Sequence, residues 1–184
     1  MAGINRYGNW WRGGLFLLVA VFVVVADRIT KSWIVSNLPL GESFPEVGCL
    51  SIAHVQNTGA AWGLFANQSV LLSIVAIIGI IVILVFYRYL SEYGILGTLA
   101  LGLVFGGATG NQIDRIALGY VTDFIRVRLW DNVYWPTFNV ADSAITVGTI
   151  ALVCFIFLTL RRDDGRPHTG NEKNPGRRSS RASG

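Results

Sequence analysis

The sequence predicts an all-α integral membrane protein with four transmembrane helices, both termini cytoplasmic and two long outer connections. Three observations predict it. Of the 184 residues, 52% are hydrophobic and 14% charged, with a mean hydropathy of +0.50. Average soluble domains carry about 25% charged residues. The apolar residues fall into four segments bounded by charge, and Lys and Arg are concentrated on one side of the alternation.

The first segment, Gly13 to Ala26, has no charge between Arg12 and Asp27. Crossing about 30 Å of hydrocarbon takes roughly 20 residues, so this run needs extension. Trp10 and Trp11 supply an interfacial aromatic belt, and Ile29, Trp33, Ile34 and Val35 continue the apolar character. Arg6, Arg12, the apolar run and Val24-Val25-Ala26 also fit a signal peptide with its cleavage site, although the long polytopic remainder does not need a cleaved leader. The second segment, Ser69 to Tyr87, is rich in Ile, Val and Leu. The third lies uncharged between Glu92 and Asp114, and the fourth, Phe138 to Leu160, carries one charge, Asp142. In hydrocarbon the backbone must bond to itself, so each segment is a helix.

Orientation follows from Lys and Arg, which concentrate in cytoplasmic loops. Arg6 and Arg12 precede the first helix, Arg88 lies between the second and third, and a basic tail follows the fourth. Residues 32–68 contain neither Lys nor Arg. The connections at about 32–68 and 116–137 therefore face outward, with Arg126 and Arg128 a mild exception. Residues 1–160 form one membrane domain. Residues 161–184, with seven Lys or Arg against three acids and many Gly, Pro and Ser, form a disordered tail suited to anionic lipid rather than nucleic acid. Cys49 and Cys154 give no metal-ligand spacing and no disulfide framework, and His54 and His168 have no convincing metal partners. No cofactor or metal is expected.

Helix rise places the polar residues in depth. At 1.5 Å per residue, Asp27 lies roughly 24 Å beyond Trp11, Asn111 roughly 27 Å beyond Tyr93, and Asp142 roughly 28 Å before Arg161. Asp114 and Arg115 close the third helix at that level, and Asp123 follows in the second outer connection. One outer layer thus gathers Asp27, Asn111, Asp114, Arg115, Asp123, Asn139 and Asp142. Charged groups at this depth are functional candidates.

Each has a plainer reading. Asp27 and Lys31, four apart, suit a helix-surface ion pair. Asp114 and Arg115 suit ordinary interfacial charges. Asn139 and Asp142 have the spacing of a capping box at the start of the fourth helix, and Asp123 suits a solvated loop. Gly102, Gly106 and Gly110 repeat at intervals of four, a pattern that lets helix backbones approach closely. Asn57 opens a turn-like stretch, Asn57-Thr58-Gly59-Ala60-Ala61-Trp62-Gly63.

Five stretches taken together resemble the bacterial lipoprotein signal peptidases, the type II signal peptidases. They are Asp27-Arg28-Ile29-Thr30-Lys31; Asn57-Thr58-Gly59-Ala60-Ala61; Gly106-Gly107-Ala108-Thr109-Gly110-Asn111-Gln112-Ile113-Asp114-Arg115; Gly119-Tyr120-Val121-Thr122-Asp123-Phe124; and Phe138-Asn139-Val140-Ala141-Asp142-Ser143. They follow the family's order over roughly residues 13–160. Trp62, where a Phe is more usual, and a longer basic tail are the departures. The resemblance implies an aspartyl peptidase that cuts prolipoproteins just before a diacylglyceryl-modified cysteine. It implies Asp123 and Asp142 as a catalytic dyad, Asn57, Asn111, Arg115 and Asn139 as residues lining the substrate site, and Asp27 as structural support. It also implies a small extracytoplasmic β-sheet from the first outer connection, beside a second outer loop. The expected partners are lipid-modified prolipoproteins and membrane lipid, with no nucleic acid, and a monomer is expected.

Two other classes compete. A proton- or ion-coupled transporter predicts acids near the midplane and inverted repeats, whereas here the acids gather at one face. A non-catalytic assembly protein using the glycine-rich helix as an interface would tolerate loss of either Asp.

Overall fold

The computed structural model describes residues 10–46, 48–59, 64–65, 67–91, 94–131 and 133–164. Arg6, the turn residues Ala60 to Gly63, Glu92, Tyr93 and the tail beyond Asp164 lie outside the described residues. The elements run α1 (Trp10–Asn37), β1 (Ser43–Phe44), β2 (Leu50–Asn57), α2 (Ser69–Ser91), α3 (Ile95–Leu118), β3 (Val121–Trp130), β4 (Val133–Tyr134) and α4 (Val140–Asp164).

Among the described residues, α1, α2 and α4 contain stretches long and apolar enough to cross a membrane. Their large apolar side chains, such as Leu18, Phe22, Val75, Val85, Ile150 and Val153, point outward. This is the inverse of a water-soluble bundle and suits a lipid surround. α3 has 24 residues, about 36 Å of helix, but glycines and the Asn111-Gln112 pair dilute its apolarity. It runs one turn past Asp114, to Leu118, where Gly119 at φ 81° donates its N–H to the Arg115 carbonyl. That positive φ suits glycine and ends the helix.

α3 is the central helix and packs against α1, α2 and α4. Lipid provides little hydrophobic drive between helices, so close backbone approach must supply the contact. A Cβ at Gly106 would lie 2.8 Å from the Ala20 carbonyl oxygen of α1. One at Gly107 would lie 2.4 Å from the Ala141 carbonyl oxygen of α4. Gly110 differs in kind, because a Cβ there would lie 2.8 Å from Asp27 Oδ2, so its absence leaves room for that carboxylate. The glycine stripe therefore packs helices, and at its Gly110 end it also admits a charge.

The expected small sheet is present and draws on both connections, not the first alone. The second connection supplies β3 and β4 to the same antiparallel sheet as β1 and β2, in the order β1-β2-β3-β4. Val121, Thr122, Ile125 and Val127 are β-branched and suit a strand, and pairing with β2 satisfies their backbone groups. Val55 sits opposite Asp123, and Asn57 opposite Val121. Phe138 bridges back to Ile125, accepting N–H bonds from Phe124 and Ile125 on its carbonyl and donating its own N–H to Ile125. This bridge ties the start of α4 to the strand that carries Asp123.

Candidate active site

Asp123 is 2% exposed on β3, not a solvated loop carboxylate. Two residues stand beside it for local reasons. Asn57 is two positions along β2 from Val55, the partner of Asp123, so it lies on the same face as the diagonal neighbour. Its Nδ2 donates to Asp123 Oδ2 at 2.8 Å. Asn139 follows Phe138 directly, and its Nδ2 donates to Asp123 Oδ1 at 2.7 Å.

Asp142 stands in the first turn of α4, and both readings of it hold geometrically. Asn139 Oδ1 accepts from the Asp142 N–H at 2.9 Å, while Asp142 Oδ2 accepts from the Asn139 N–H at 3.2 Å. That is a reciprocal capping box. Asp142 Oδ1 also accepts from Asn111 Nδ2 at 2.7 Å, and Asp142 lines the cavity. Capping thus fixes the carboxylate without hiding it.

Asp27 is fully buried and caps the same helix from outside, accepting the Ala141 N–H at 3.1 Å. The expected surface pair of Asp27 and Lys31 forms at 2.8 Å, but in the interior, with Lys31 only 2% exposed. The face of α1 that carries them turns inward against α3. Asp114 is likewise no ordinary interfacial charge. It is 1% exposed, pairs with Lys31 at 3.0 Å and with Arg28, and accepts the Thr122 N–H. It thereby ties α3 and α1 to β3 just before Asp123. Sequence reading missed Lys31 as a site-builder and, having gathered Asp114 into the outer layer, gave it the plainer interfacial role. The available signal was their depth, shared with Asn111.

A cavity of about 580 Å³ opens over these residues, lined by Asn57, Asn111, Arg115, Asp123 and Asp142 among others. Trp135, Pro136, Thr137 and Phe138 form one wall, and Ser143 and Thr146 continue it along α4. None of these six was singled out as a site residue by the sequence. Asn139 is wholly buried beneath the cavity and bonds both carboxylates. Asp27 does not line the cavity and acts from behind it on the α4 terminus.

Burial first, and then the charge of Asp142, raise the Asp123 carboxyl, against opposition from the Asn57 and Asn139 hydrogen bonds and the Lys31 charge, to about 7. Four carboxylates, Asp27, Asp114, Asp123 and Asp142, meet three basic side chains here, Arg28, Lys31 and Arg115, and Asp123 feels the charge of Asp142. Such a pair titrates as a unit. Two coupled carboxyls at one cavity can supply an acid and a base, which general acid–base attack by water on a carbonyl requires.

A helical scaffold with apolar outer faces, holding two carboxylates at a largely apolar cavity, has the features of a membrane enzyme. Comparison with known proteins narrows the class. Residues 19–158 match the family model for signal peptidase (SPase) II. A lipoprotein signal peptidase of Bacillus velezensis is 41% identical over 155 residues, covering 83% of this chain and 97% of the relative. One from Dehalococcoides mccartyi is 40% identical over 146 residues, covering 77% and 88%. A solved structure described as a bacterial membrane enzyme, determined by the in meso method, superposes with a TM-score of 0.71 at 35% identity, over 88% of this chain and 94% of its own. The chain belongs to the signal peptidase II family, a family of proteases.

Proposed function

We propose that the chain is an aspartyl endopeptidase that removes signal peptides from prolipoproteins, cutting before the diacylglyceryl-modified cysteine. The observation that carries this reading is the pairing of Asp123 and Asp142. Both line one cavity, both bond to Asn139, and all four of their oxygens accept an N–H. The ionised member of the pair takes a proton from water as the water attacks the scissile carbonyl. The protonated member donates to the developing oxyanion or the leaving amine. Asn57, Asn111 and Asn139 hold the carboxylates, and Arg115 meets the substrate's carbonyls or lipid head region.

The remaining parts of the reading concern placement. Residues 1–160 form a four-span domain with both termini cytoplasmic, and 161–184 form a cytoplasmic tail. The protein works as a monomer in the bacterial cytoplasmic membrane, with the acid pair at the extracytoplasmic face. There a lipidated cysteine keeps its acyl chains in the outer leaflet while the scissile bond reaches the cavity.

The test is cleavage of a diacylglyceryl-modified prolipoprotein by purified protein in detergent. Asp123→Asn and Asp142→Asn are each expected to abolish cleavage while the protein stays folded. Substantial turnover by either variant would sink the dyad.

A further inference from the structure

We propose that Lys31 is the positioning residue of the acid pair: its ammonium pins the carbonyl oxygen of Asn111 and so turns the Asn111 amide nitrogen onto Asp142. This rests on the peptidase reading of the site and deepens it.

An Asn side chain can present either end, because its oxygen and nitrogen are nearly the same shape. An acceptor facing a carboxylate repels it, so each amide around the pair needs something that fixes its orientation. Three amides surround the pair, and each has its oxygen held by a group that can only donate. The Gly59 N–H donates to Asn57 Oδ1 at 2.9 Å. The Asp142 N–H donates to Asn139 Oδ1 at 2.9 Å. For Asn111 the obligate donor is Lys31 Nζ, at 3.0 Å from Oδ1. Asn139 Nδ2 also reaches that oxygen at 3.1 Å, but its shorter bond goes to Asp123. The first two amides are locked by backbone. Only Asn111 is locked by a charge.

The ammonium donates to Asn111 Oδ1 at 3.0 Å and forms ion pairs with Asp27 Oδ2 at 2.8 Å and Asp114 Oδ2 at 3.0 Å. Its place is held from both sides, and at 2% exposure it has no access to water as an alternative partner. It does not line the cavity. Lys31 therefore touches no substrate and acts through Asn111. Its charge also lowers the proton affinity of Asp123. The ionisable groups that meet here are Asp27 and Arg28 from α1, Asp114 and Arg115 from α3, Asp123 from β3 and Asp142 from α4. The β2 strand contributes only the neutral Asn57.

The experiment uses Asp27→Asn/Lys31→Met in the full-length protein. Removing Lys31 alone strands buried carboxylates and threatens folding. The double variant removes an opposite pair, and Asn at 27 keeps an oxygen for the Ala141 N–H. Cleavage of the diacylglyceryl-modified prolipoprotein is followed against pH. The expected result is a loss in kcat on the order of 100-fold, the scale of a slightly misplaced catalytic group. KM stays within about twofold, and the alkaline limb of the profile moves up by about one pH unit, because Lys31 lowers the proton affinity of Asp123 whereas Asp27 is not among the groups that set it. Wild-type kcat with an unmoved limb overturns the assignment. So does a fall in kcat with an unmoved limb, since that marks a merely structural role. A wild-type protein inert towards this substrate overturns the peptidase reading itself, which separates the two failures.

Discussion

Asp123 carries the sharpest prediction at the scale of a residue. Its carboxyl is raised from an ordinary 3.8 to about 7 with Asp142 beside it, so about 7 marks the loss of the pair's last proton. Cleavage is expected to fall as pH rises through about 7, because no acid then remains. A rate that keeps climbing to pH 9 would contradict that. Stability follows the opposite-sign case from a salt-bridged acid. The folded state holds this proton more tightly than the unfolded chain, so the group's contribution to stability falls as pH rises from about 4 to about 7, then levels off. Asp123→Asn removes the titration. The variant's melting temperature relative to the parent is therefore expected to rise across that interval and stay flat above it. Asp123 looked like a loop acid in sequence because nothing local marks a strand as paired. Its burial depends on β2, which precedes it by more than sixty residues.

At the scale of an element, the meeting of α3 and α4 decides whether the acid pair forms. Gly107→Val puts a branched side chain where a Cβ already stands 2.4 Å from the Ala141 carbonyl oxygen. Overpacking of this kind costs about 1–3 kcal/mol. It also displaces the first turn of α4, which carries Asp142. Loss of most cleavage activity is expected, together with a lower melting temperature in detergent. Gly79→Ala is the matched control. Nothing lies within 4 Å of a Cβ there, and its effect should stay within about 0.5 kcal/mol. The spacing of Gly102, Gly106 and Gly110 announced close packing. It could not announce which neighbour each glycine meets, because that depends on the rotation of α3 against two helices at once.

For the whole molecule, the reading of the chemistry and of the orientation can be checked separately. Hydrolysis by two carboxylates uses no metal, so cleavage should survive a strong chelator. Loss that zinc restores would mean a different mechanism. A reporter fused after Arg161 should read as cytoplasmic, and one inserted near Gly41 as external. Reversed readings would overturn the topology.

The sequence by itself determined the number of long helices, their approximate limits and the shared depth of Asp27, Asn111, Asp123 and Asp142. Those follow from hydropathy and from rise per residue, which are local and additive. The tertiary structure alone decided which of those residues touch. It moved Asp27, Lys31 and Asp114 from the surface to the interior, joined the second connection to the sheet, and set Asn139 between the two carboxylates. Depth along a helix is one coordinate. The azimuth of each helix and the register of β3 on β2 are set by packing between distant segments, which no short stretch of sequence encodes.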